Sequence, residues 1–177
     1  MKSLLNPLLL VGSLAMACHA HATSVEQQYD INAFTVSGNT LTLEVDVSEQ
    51  PYFPVLNLQL ETSGNGVLVS GTESVCSHSK DDVCIGEQFE AVFSELSYDA
   101  LVVVKCDDKQ LTKRFINQTE LTNAVLTDTS ANADFDEALY LAKDLTCNTL
   151  TVELTALNQS VVRAVDAVIG FSTSTSK

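Results

Sequence analysis

Basic residues are scarce in this chain of 177 residues, and tryptophan is absent. The chain carries 9 Lys and Arg against 23 Asp and Glu, which gives a formal net charge of −14 and an isoelectric point near 4.3. Binding to nucleic acids relies on clustered Lys and Arg, so this composition argues against a nucleic-acid partner. The same negative field repels anionic lipid headgroups. The lack of Trp also weakens the case for a sugar-binding platform.

The sequence also lacks a hydrophobic run long enough to span a membrane. Its most apolar run, residues 4–17, follows one positive charge and precedes small residues at Ala20 and Ala22. This arrangement is typical of a secretory signal peptide, so we predict that residues 1–22 are a signal removed after Ala22. The alternative is lipidation of Cys18, which would anchor the mature chain to a membrane.

The cysteines indicate an oxidising compartment. Removal or lipidation of Cys18 leaves an even number, namely Cys76, Cys84, Cys106 and Cys147. Three connectivities are open, and we predict the pairs Cys76–Cys84 and Cys106–Cys147. The spacings contain no CxxC pair, which argues against a zinc site. Together with the signal, these features predict a periplasmic or secreted protein.

Alternation of apolar and polar residues dominates the rest of the chain. We interpret residues 23–171 as one domain and residues 172–177 as a disordered tail. The period of two is clearest in residues 41–48 and 56–61. Further strands are predicted at residues 88–93, 100–106, 112–117, 124–127, 149–157 and 160–171, with hairpin turns at Gly38–Asn39 and Asn65–Gly66. Such strands predict a mainly β fold, an antiparallel β-sandwich that resembles immunoglobulin-like domains in architecture.

One segment has the spacing of a helix instead. Phe135, Ala138, Leu139 and Ala142 fall on one face at helical intervals, and acidic residues crowd the start of the segment. We therefore predict one α-helix near residues 134–145, laid over the sheets.

Oxygen-bearing side chains precede this predicted helix with the spacing of a calcium loop. Asp128, Ser130, Asn132 and Asp136 occupy the first, third, fifth and ninth places of such a loop. The sixth place lacks the glycine, and the twelfth lacks the bidentate glutamate, that calcium loops need. We interpret the segment as a polar loop that caps the helix, with weak calcium binding as the alternative and no other cofactor indicated.

Two adjacent aromatic residues, Tyr52 and Phe53, lie between Pro51 and Pro54. In an extended segment they cannot both face inward, because successive side chains point to opposite sides. We hypothesise that one of them is presented to a partner. In the alternative interpretation, Phe53 closes the end of the core while Tyr52 covers a neighbour.

A catalytic constellation is not recognisable in the sequence. After signal cleavage His78 is the remaining histidine, in a short polar loop with Asp81 and Asp82. The leading hypothesis is therefore a non-enzymatic binding or structural module, exported to the envelope or secreted, whose partner is a protein or envelope component. The alternatives are a weak calcium-binding protein and a fibre or pilus-type subunit that assembles by strand exchange through residues 29–36.

Overall fold

A computed structural model of the chain describes residues 25–49, 53–142 and 146–172. The predicted signal peptide with Cys18, Tyr52, and all but the first residue of the predicted tail lie outside these ranges. The strands are β1 (Val25–Tyr29), β2 (Thr35–Ser37), β3 (Thr40–Asp46), β4 (Val55–Asn65), β5 (Val67–Cys76), β6 (Ser79–Lys80), β7 (Val83–Cys84), β8 (Gln88–Cys106), β9 (Lys109–Thr122), β10 (Ser130–Tyr140), β11 (Thr149–Leu157) and β12 (Val161–Ser172). A 3-10 helix spans Ile31–Ala33. Among the described residues no helix is long and apolar enough to cross a membrane.

The long strands form two antiparallel sheets that pack face to face. Sheet A has the strand order β1-β12-β4-β10. Sheet B has the order β2-β3-β11-β8-β5, with β9 paired along the other edge of β8. The short strands β6 and β7 form a separate hairpin. The predicted antiparallel β-sandwich is therefore confirmed.

The core lies between the two sheets and is built from alternate residues of their strands. In β4, Leu56, Leu58 and Leu60 are buried, whereas Asn57 and Gln59 are exposed. The same alternation runs through β3 and β11, where the buried residues are Leu41, Leu43, Val45, Leu150, Val152 and Leu154. Burial of each such side chain is worth roughly 1.5–3 kcal/mol, which fixes the face that turns inward. The strands predicted at residues 88–93 and 100–106 are parts of the long strand β8.

The hairpin predicted at Gly38–Asn39 is present between β2 and β3. Ser37 pairs with Thr40 across it, and Gly38 has a φ of 62°, which glycine adopts without steric cost. A strand is predicted at residues 160–171, and all of these residues except Ser160 lie in β12, which pairs with β4 along its length. Both predictions are confirmed.

The α-helix predicted near residues 134–145 is wrong, because Ser130–Tyr140 form strand β10; residues 143–145 lie outside the described ranges. The buried side chains of β10 follow a period of two and are Ala131, Ala133, Phe135 and Leu139. Pairing with β4 over the whole strand satisfies the N–H and C=O groups along the edge of β4. The helical spacing arose from Ala138, which is exposed and whose small side chain is tolerated on either face.

Two further predictions from the sequence are wrong. Asn65–Gly66 does not close a hairpin, because β4 belongs to sheet A and β5 to sheet B, so the chain crosses between the sheets there. Glycine is needed for a close approach, since a Cβ atom on Gly66 would lie 2.5 Å from the carbonyl oxygen of Ser97. Residues 124–127, which the structure describes, form no strand. Within them, the Leu126 N–H donates to the buried Ser94 hydroxyl at 2.9 Å.

Candidate binding surface

Sheet B extends beyond sheet A as a two-stranded arm, which we define as residues 69–93. The arm comprises most of β5, the β6–β7 hairpin and the first residues of β8. Along β8, Ser94 and Leu96 are buried, but Gln88 and Glu90 on the same face are exposed. Phe89, on the opposite face, is exposed as well. Since both faces of the arm are exposed, sheet A does not cover it.

The register between β5 and β8 fixes the two faces of the arm. Directly opposite residues of antiparallel strands share a face, and Leu96 points into the core, so even-numbered residues of both strands face inward. The inner face carries Ser70, Thr72, Ser74, Gln88, Glu90 and Val92. The outer face carries Val69, Val75, Phe89, Ala91 and Phe93, together with Glu73. The arm therefore turns its apolar side away from sheet A.

Strand β9 widens this apolar surface at the base of the arm. Leu121 lies opposite Glu95, which in turn lies opposite Val69. Leu121 is 69% exposed and Phe89 is 52% exposed. We call the following residues on the outer face the apolar stripe: Val69, Val75, Phe89, Phe93 and Leu121. Large apolar side chains gathered on one solvent-facing surface in this way are typical of interaction sites in soluble proteins.

Phe93 is held in position by the glycine opposite it. A Cβ atom on Gly71 would lie 3.0 Å from Phe93 Cζ, so the aromatic ring lies across this glycine. An aromatic ring over a strand glycine restores packing that the missing side chain removes. This contact half-buries Phe93 and fixes its ring on the outer face of the arm.

The tip of the arm is closed by a disulfide bond between Cys76 and Cys84, whose Cα atoms are 5.7 Å apart. The first predicted pair is thereby confirmed. Between the two cysteines, Asp81 and Asp82 have φ values of 49° and 61°, as a two-residue turn between β6 and β7 requires. The bond limits fraying of two strands that have no core beneath them.

His78, the histidine on which catalytic chemistry would depend, is exposed in this hairpin. Its carbonyl oxygen accepts hydrogen bonds from the N–H groups of Ile85 at 3.0 Å and Gly86 at 3.1 Å. Within the described ranges no group of three or more His, Cys, Asp or Glu side chains is arranged to hold a metal ion. In this structure, His78 takes part in the hairpin through its backbone.

The arm is acidic as well as apolar. Residues 69–93 contain five carboxylates and one lysine. On the outer face, Glu73 lies opposite Ala91, and Glu95 lies between Val69 and Leu121. Negative charge therefore borders the apolar stripe, which is complementary to an apolar surface surrounded by Lys or Arg.

Of the two aromatic residues predicted to contact a partner, the structure describes Phe53 but not Tyr52. Phe53 is buried, and its ring centroid lies 4.5 Å from that of Phe171 at an interplanar angle of 58°. Phe53 is thus part of the core, as the alternative interpretation expected, and is withdrawn from the surface. Tyr52 lies outside the described residues, so its contact with a partner stays a prediction.

The residues predicted to bind calcium do not converge on one point. Asp128 Oδ1 accepts hydrogen bonds from the backbone N–H of Ser130 at 2.9 Å and from its hydroxyl at 2.7 Å, which lowers the pKa of Asp128. Ser130, Asn132 and Asp136 lie along the exposed face of β10. A strand rises roughly 3.3 Å per residue, so Ser130 and Asp136 are about 20 Å apart. The oxygen ligands of a Ca²⁺ ion must all lie within roughly 2.6 Å of the ion. A calcium loop needs a helix after it to bring its ligands together, and residues 130–140 form a strand instead.

A row of three carboxylates crosses the outer face of sheet A. Glu61 on β4 lies directly opposite Asp134 on β10 and Asp166 on β12. A groove of about 600 Å³, lined in part by Glu61, Asp166 and Asp30, runs beside the row. Like charges directly opposite each other destabilise a sheet, so the row opposes folding. Sequence reasoning missed it, because only the register brings together residues from three strands.

Cys106 and Cys147, the second predicted pair, are free thiols in the structure but lie next to each other. Cys106 ends β8 and is buried, and Cys147 lies just before β11 and is half-buried. Cys106 Sγ is 3.5 Å from the carbonyl oxygen of Thr146, the neighbour of Cys147 in the chain. Burial and the adjacent Cys106 thiol raise the pKa of Cys147 to about 12.

The open strand that strand exchange would need is not present among residues 29–36, all of which are described. Tyr29 pairs with Ala167 at the end of β1, and β2 pairs with β3. Between them, Ile31–Ala33 form the 3-10 helix, and the side chain of Asp30 accepts a hydrogen bond from the N–H of Asn32. In this region the chain therefore supplies its own strands to both sheets.

Comparisons with known proteins identify no relative of this chain. No protein-family model, no curated protein and no solved structure matches the chain. Its function must therefore be inferred from its own geometry, above all from the arm and the apolar stripe.

Proposed function

We propose that the protein is an exported, non-enzymatic binding module of the cell envelope or the secreted fraction, which docks a protein partner on the apolar stripe. The observation that carries this proposal is the orientation of the arm, whose outer face carries most of its large apolar side chains, among them Phe89 and Phe93, whereas Val92 is the large apolar side chain on its inner face. An apolar side chain turned to solvent adds nothing to the core and invites aggregation. A partner protein that covers the outer face of the arm would bury these apolar side chains and so account for their position.

The disulfide at the tip of the arm supports export. Disulfide bonds persist mainly in oxidising compartments, and Cys76–Cys84 is formed in the folded chain. The signal peptide predicted at residues 1–22 points the same way. On this proposal the mature chain works in the periplasm or outside the cell.

The charge distribution favours a partner other than a second copy of the chain. Two copies with a net charge of −14 repel each other. In a symmetric pairing through the stripe, Glu73 and Glu95 would also meet the same acidic border on the other copy. A protein surface with an apolar centre and a rim of Lys or Arg is complementary to both features.

Phe89 is the residue that we expect to contribute most to binding. Its side chain is aromatic, is 52% exposed in the free chain and lies opposite Val75 within the stripe. Aromatic anchors that become buried dominate interfaces, and their truncation costs about 2 kcal/mol or more. That loss corresponds to binding weaker by about 30-fold.

Site-specific photo-crosslinking tests the proposal in the cells that produce the protein. A photoreactive phenylalanine analogue at position 89 of the full chain should form an adduct with the partner, whereas the same analogue at position 115 should not. Phe115 is a matched control, because it is an exposed phenylalanine on the same face of sheet B but outside the stripe.

The purified partner then allows affinities to be compared by isothermal titration calorimetry. Phe89→Asp should weaken binding by about 30-fold or more, while Phe115→Asp should change it less than about threefold. Thermal unfolding of both variants checks that each remains folded. Equal adducts from both positions, no adduct from position 89, or equal affinities of the two variants would contradict the proposal.

A further inference from the structure

Cys106 and Cys147 lie at the end of the sandwich where β8 turns into β9. Strands β8 and β11 are neighbours there, and Cys106 lies directly opposite Leu150. The Cys106 thiol approaches the carbonyl oxygen of Thr146 at 3.5 Å, and the Cys147 thiol approaches that of Thr149 at 3.5 Å. Both sulfur atoms therefore lie between the end of β8 and the segment that leads into β11.

The backbone around the two thiols is held in place by Asp107. Its carboxylate accepts hydrogen bonds from the N–H groups of Asn148 at 3.2 Å and Thr149 at 2.9 Å. Its own N–H donates to the carbonyl oxygen of Thr149 at 2.8 Å, and its φ of 49° turns the chain sharply after Cys106. The carbonyl oxygen of Asn148 also accepts from the N–H of Val47 at 2.8 Å. The segment with Cys147 is thus docked against β8 before any bond joins the sulfur atoms.

We propose that Cys106 and Cys147 are an oxidisable dithiol that closes a second disulfide bond in the compartment where Cys76–Cys84 forms. The oxidant is a disulfide, either that of an oxidised dithiol protein or that of oxidised glutathione. One S–S bond forms in the chain and one breaks in the oxidant, which receives the two electrons and the two protons and leaves as two thiols. Cys147 is the more exposed of the pair, so the oxidant reaches it first, and its raised pKa makes this first attack slow at neutral pH. The Cys106 thiolate then displaces the oxidant from the mixed disulfide.

The new bond links the end of β8 to the segment that leads into β11, the neighbour of β8 in sheet B. From Cys106 the chain runs through β9 in sheet B and β10 in sheet A before it reaches Cys147. Closure of a loop of about forty residues constrains the unfolded chain more than the short loop at the tip of the arm does. We expect oxidation of the pair to raise the Tm by roughly 10 °C.

Disulfide mapping by mass spectrometry tests the proposal without any substitution. The full chain is purified without reductant, equilibrated with oxidised glutathione, alkylated and cut with trypsin. Cleavage after Lys105, Lys109, Lys143 and Arg163 places the two cysteines on peptides 106–109 and 144–163. We expect one species that links these two peptides and separates on reduction. Unlinked alkylated peptides, or a persistent glutathione adduct on Cys147, in protein whose Cys76–Cys84 bond is formed would overturn the proposal.

Thermal unfolding of two paired variants adds an independent readout. In Cys76→Ser/Cys84→Ser the pair Cys106 and Cys147 remains, and reduction should lower the Tm by roughly 10 °C. In Cys106→Ser/Cys147→Ser reduction opens the tip of the arm and should lower the Tm by less, roughly 6 °C. Equal shifts in the two variants, or no shift in the first, would overturn the proposal. The mass measurement stays decisive if either variant fails to fold.

Discussion

At the scale of single residues, the buried hydroxyl of Tyr98 links the two sheets through the core. Tyr98, on β8, donates to Thr62 Oγ1 at 3.3 Å, and Thr62, on β4, donates to the carbonyl oxygen of Ala133 at 2.7 Å. All three residues are buried. Burial raises the pKa of Tyr98, so its hydroxyl stays protonated and able to donate.

Thr62→Val should destabilise the protein more than Tyr98→Phe does. Tyr98→Phe leaves Thr62 bonded to Ala133, so we expect the free energy of unfolding to fall by about 1 kcal/mol. Thr62→Val leaves the buried Tyr98 hydroxyl without its acceptor and should cost about 2–3 kcal/mol. In protein that already carries Tyr98→Phe no hydroxyl is left without an acceptor, so Thr62→Val should lower the free energy of unfolding by about 1 kcal/mol less than it does in the wild type. Urea unfolding measures all three variants; equal losses for the two single substitutions would contradict the prediction.

Reduced Cys147 should react slowly with alkylating reagents at neutral pH. Burial, the neighbouring Cys106 thiol and the Asp107 carboxylate raise its pKa from 9.0 to about 12, and the thiolate is the reacting form. In the folded protein the rate should rise about tenfold per pH unit between about pH 7 and 10. In the unfolded chain the rate of alkylation should stop rising at about pH 9, the ordinary pKa of a cysteine thiol. The mass of peptide 144–163 follows the reaction, and a plateau near pH 9 in the folded protein would contradict the raised pKa.

At the scale of strands, the register places like charges side by side. Glu61 has Asp134 on one neighbouring strand and Asp166 on the other, and like charges directly opposite each other cost roughly 0.2–1 kcal/mol per pair. Glu61→Gln relieves both pairs and should raise the free energy of unfolding by about 1 kcal/mol in low salt. Glu44→Gln is the control, since Glu44 faces Thr151. Urea unfolding at two salt concentrations tests this; a gain equal to the control, or unaffected by salt, would argue against repulsion.

The arm should be removable without unfolding the sandwich. Residues 73–91, all of which the structure describes, contribute nothing to the core cluster, and Thr72 lies directly opposite Val92. Replacement of residues 73–91 by Asn-Gly therefore closes a short hairpin at the base of the arm. Calorimetry should give a Tm within about 5 °C of that of the full chain, while binding to the partner is lost. A much larger decrease in Tm would show that the arm supports the core.

Strands could be predicted from the sequence where one face is buried and the other is exposed. In β3, β4 and β11 the large aliphatic residues alternate with polar ones, so the period identifies both the strand and its inner face. In β10 the period is blurred, because Ala131 and Ala133 are buried while Ala138 is exposed. For this strand the unpaired edge of β4 decides the conformation, and that edge is not visible in the local sequence.

The candidate site could not be predicted, because it depends on pairing between strands that are distant in sequence. Val69, Phe93 and Leu121 look ordinary within their own strands and become one surface through the register of β5, β8 and β9. Asn65–Gly66 has the composition of a turn, yet the chain uses this glycine for a close approach to the backbone of β8. The disulfide at the tip of the arm could be predicted, since a short loop brings its cysteines together.

At the scale of the whole molecule, we expect the net charge of −14 to repel copies of the chain and the apolar stripe to attract them. At physiological ionic strength, electrostatic repulsion between charges extends over about 8 Å. Glu95 lies between Val69 and Leu121, within that distance of both, so two copies that met through the stripe would bring these carboxylates close together. We therefore expect the purified mature protein to be a monomer in sedimentation velocity at about 0.15 M salt.

High salt should shift this balance and reveal the stripe. At about 1 M salt the screening length falls to about 3 Å, so the repulsion fades while apolar contacts persist. We expect weak dimers of the wild type and of Phe115→Asp under these conditions, and a monomer for Phe89→Asp. Dimers of all three proteins would mean that the stripe is not the contact surface. A fibre subunit would instead form a ladder of oligomers at low as well as high salt, because strand exchange depends on backbone pairing rather than on the exposed side chain of Phe89.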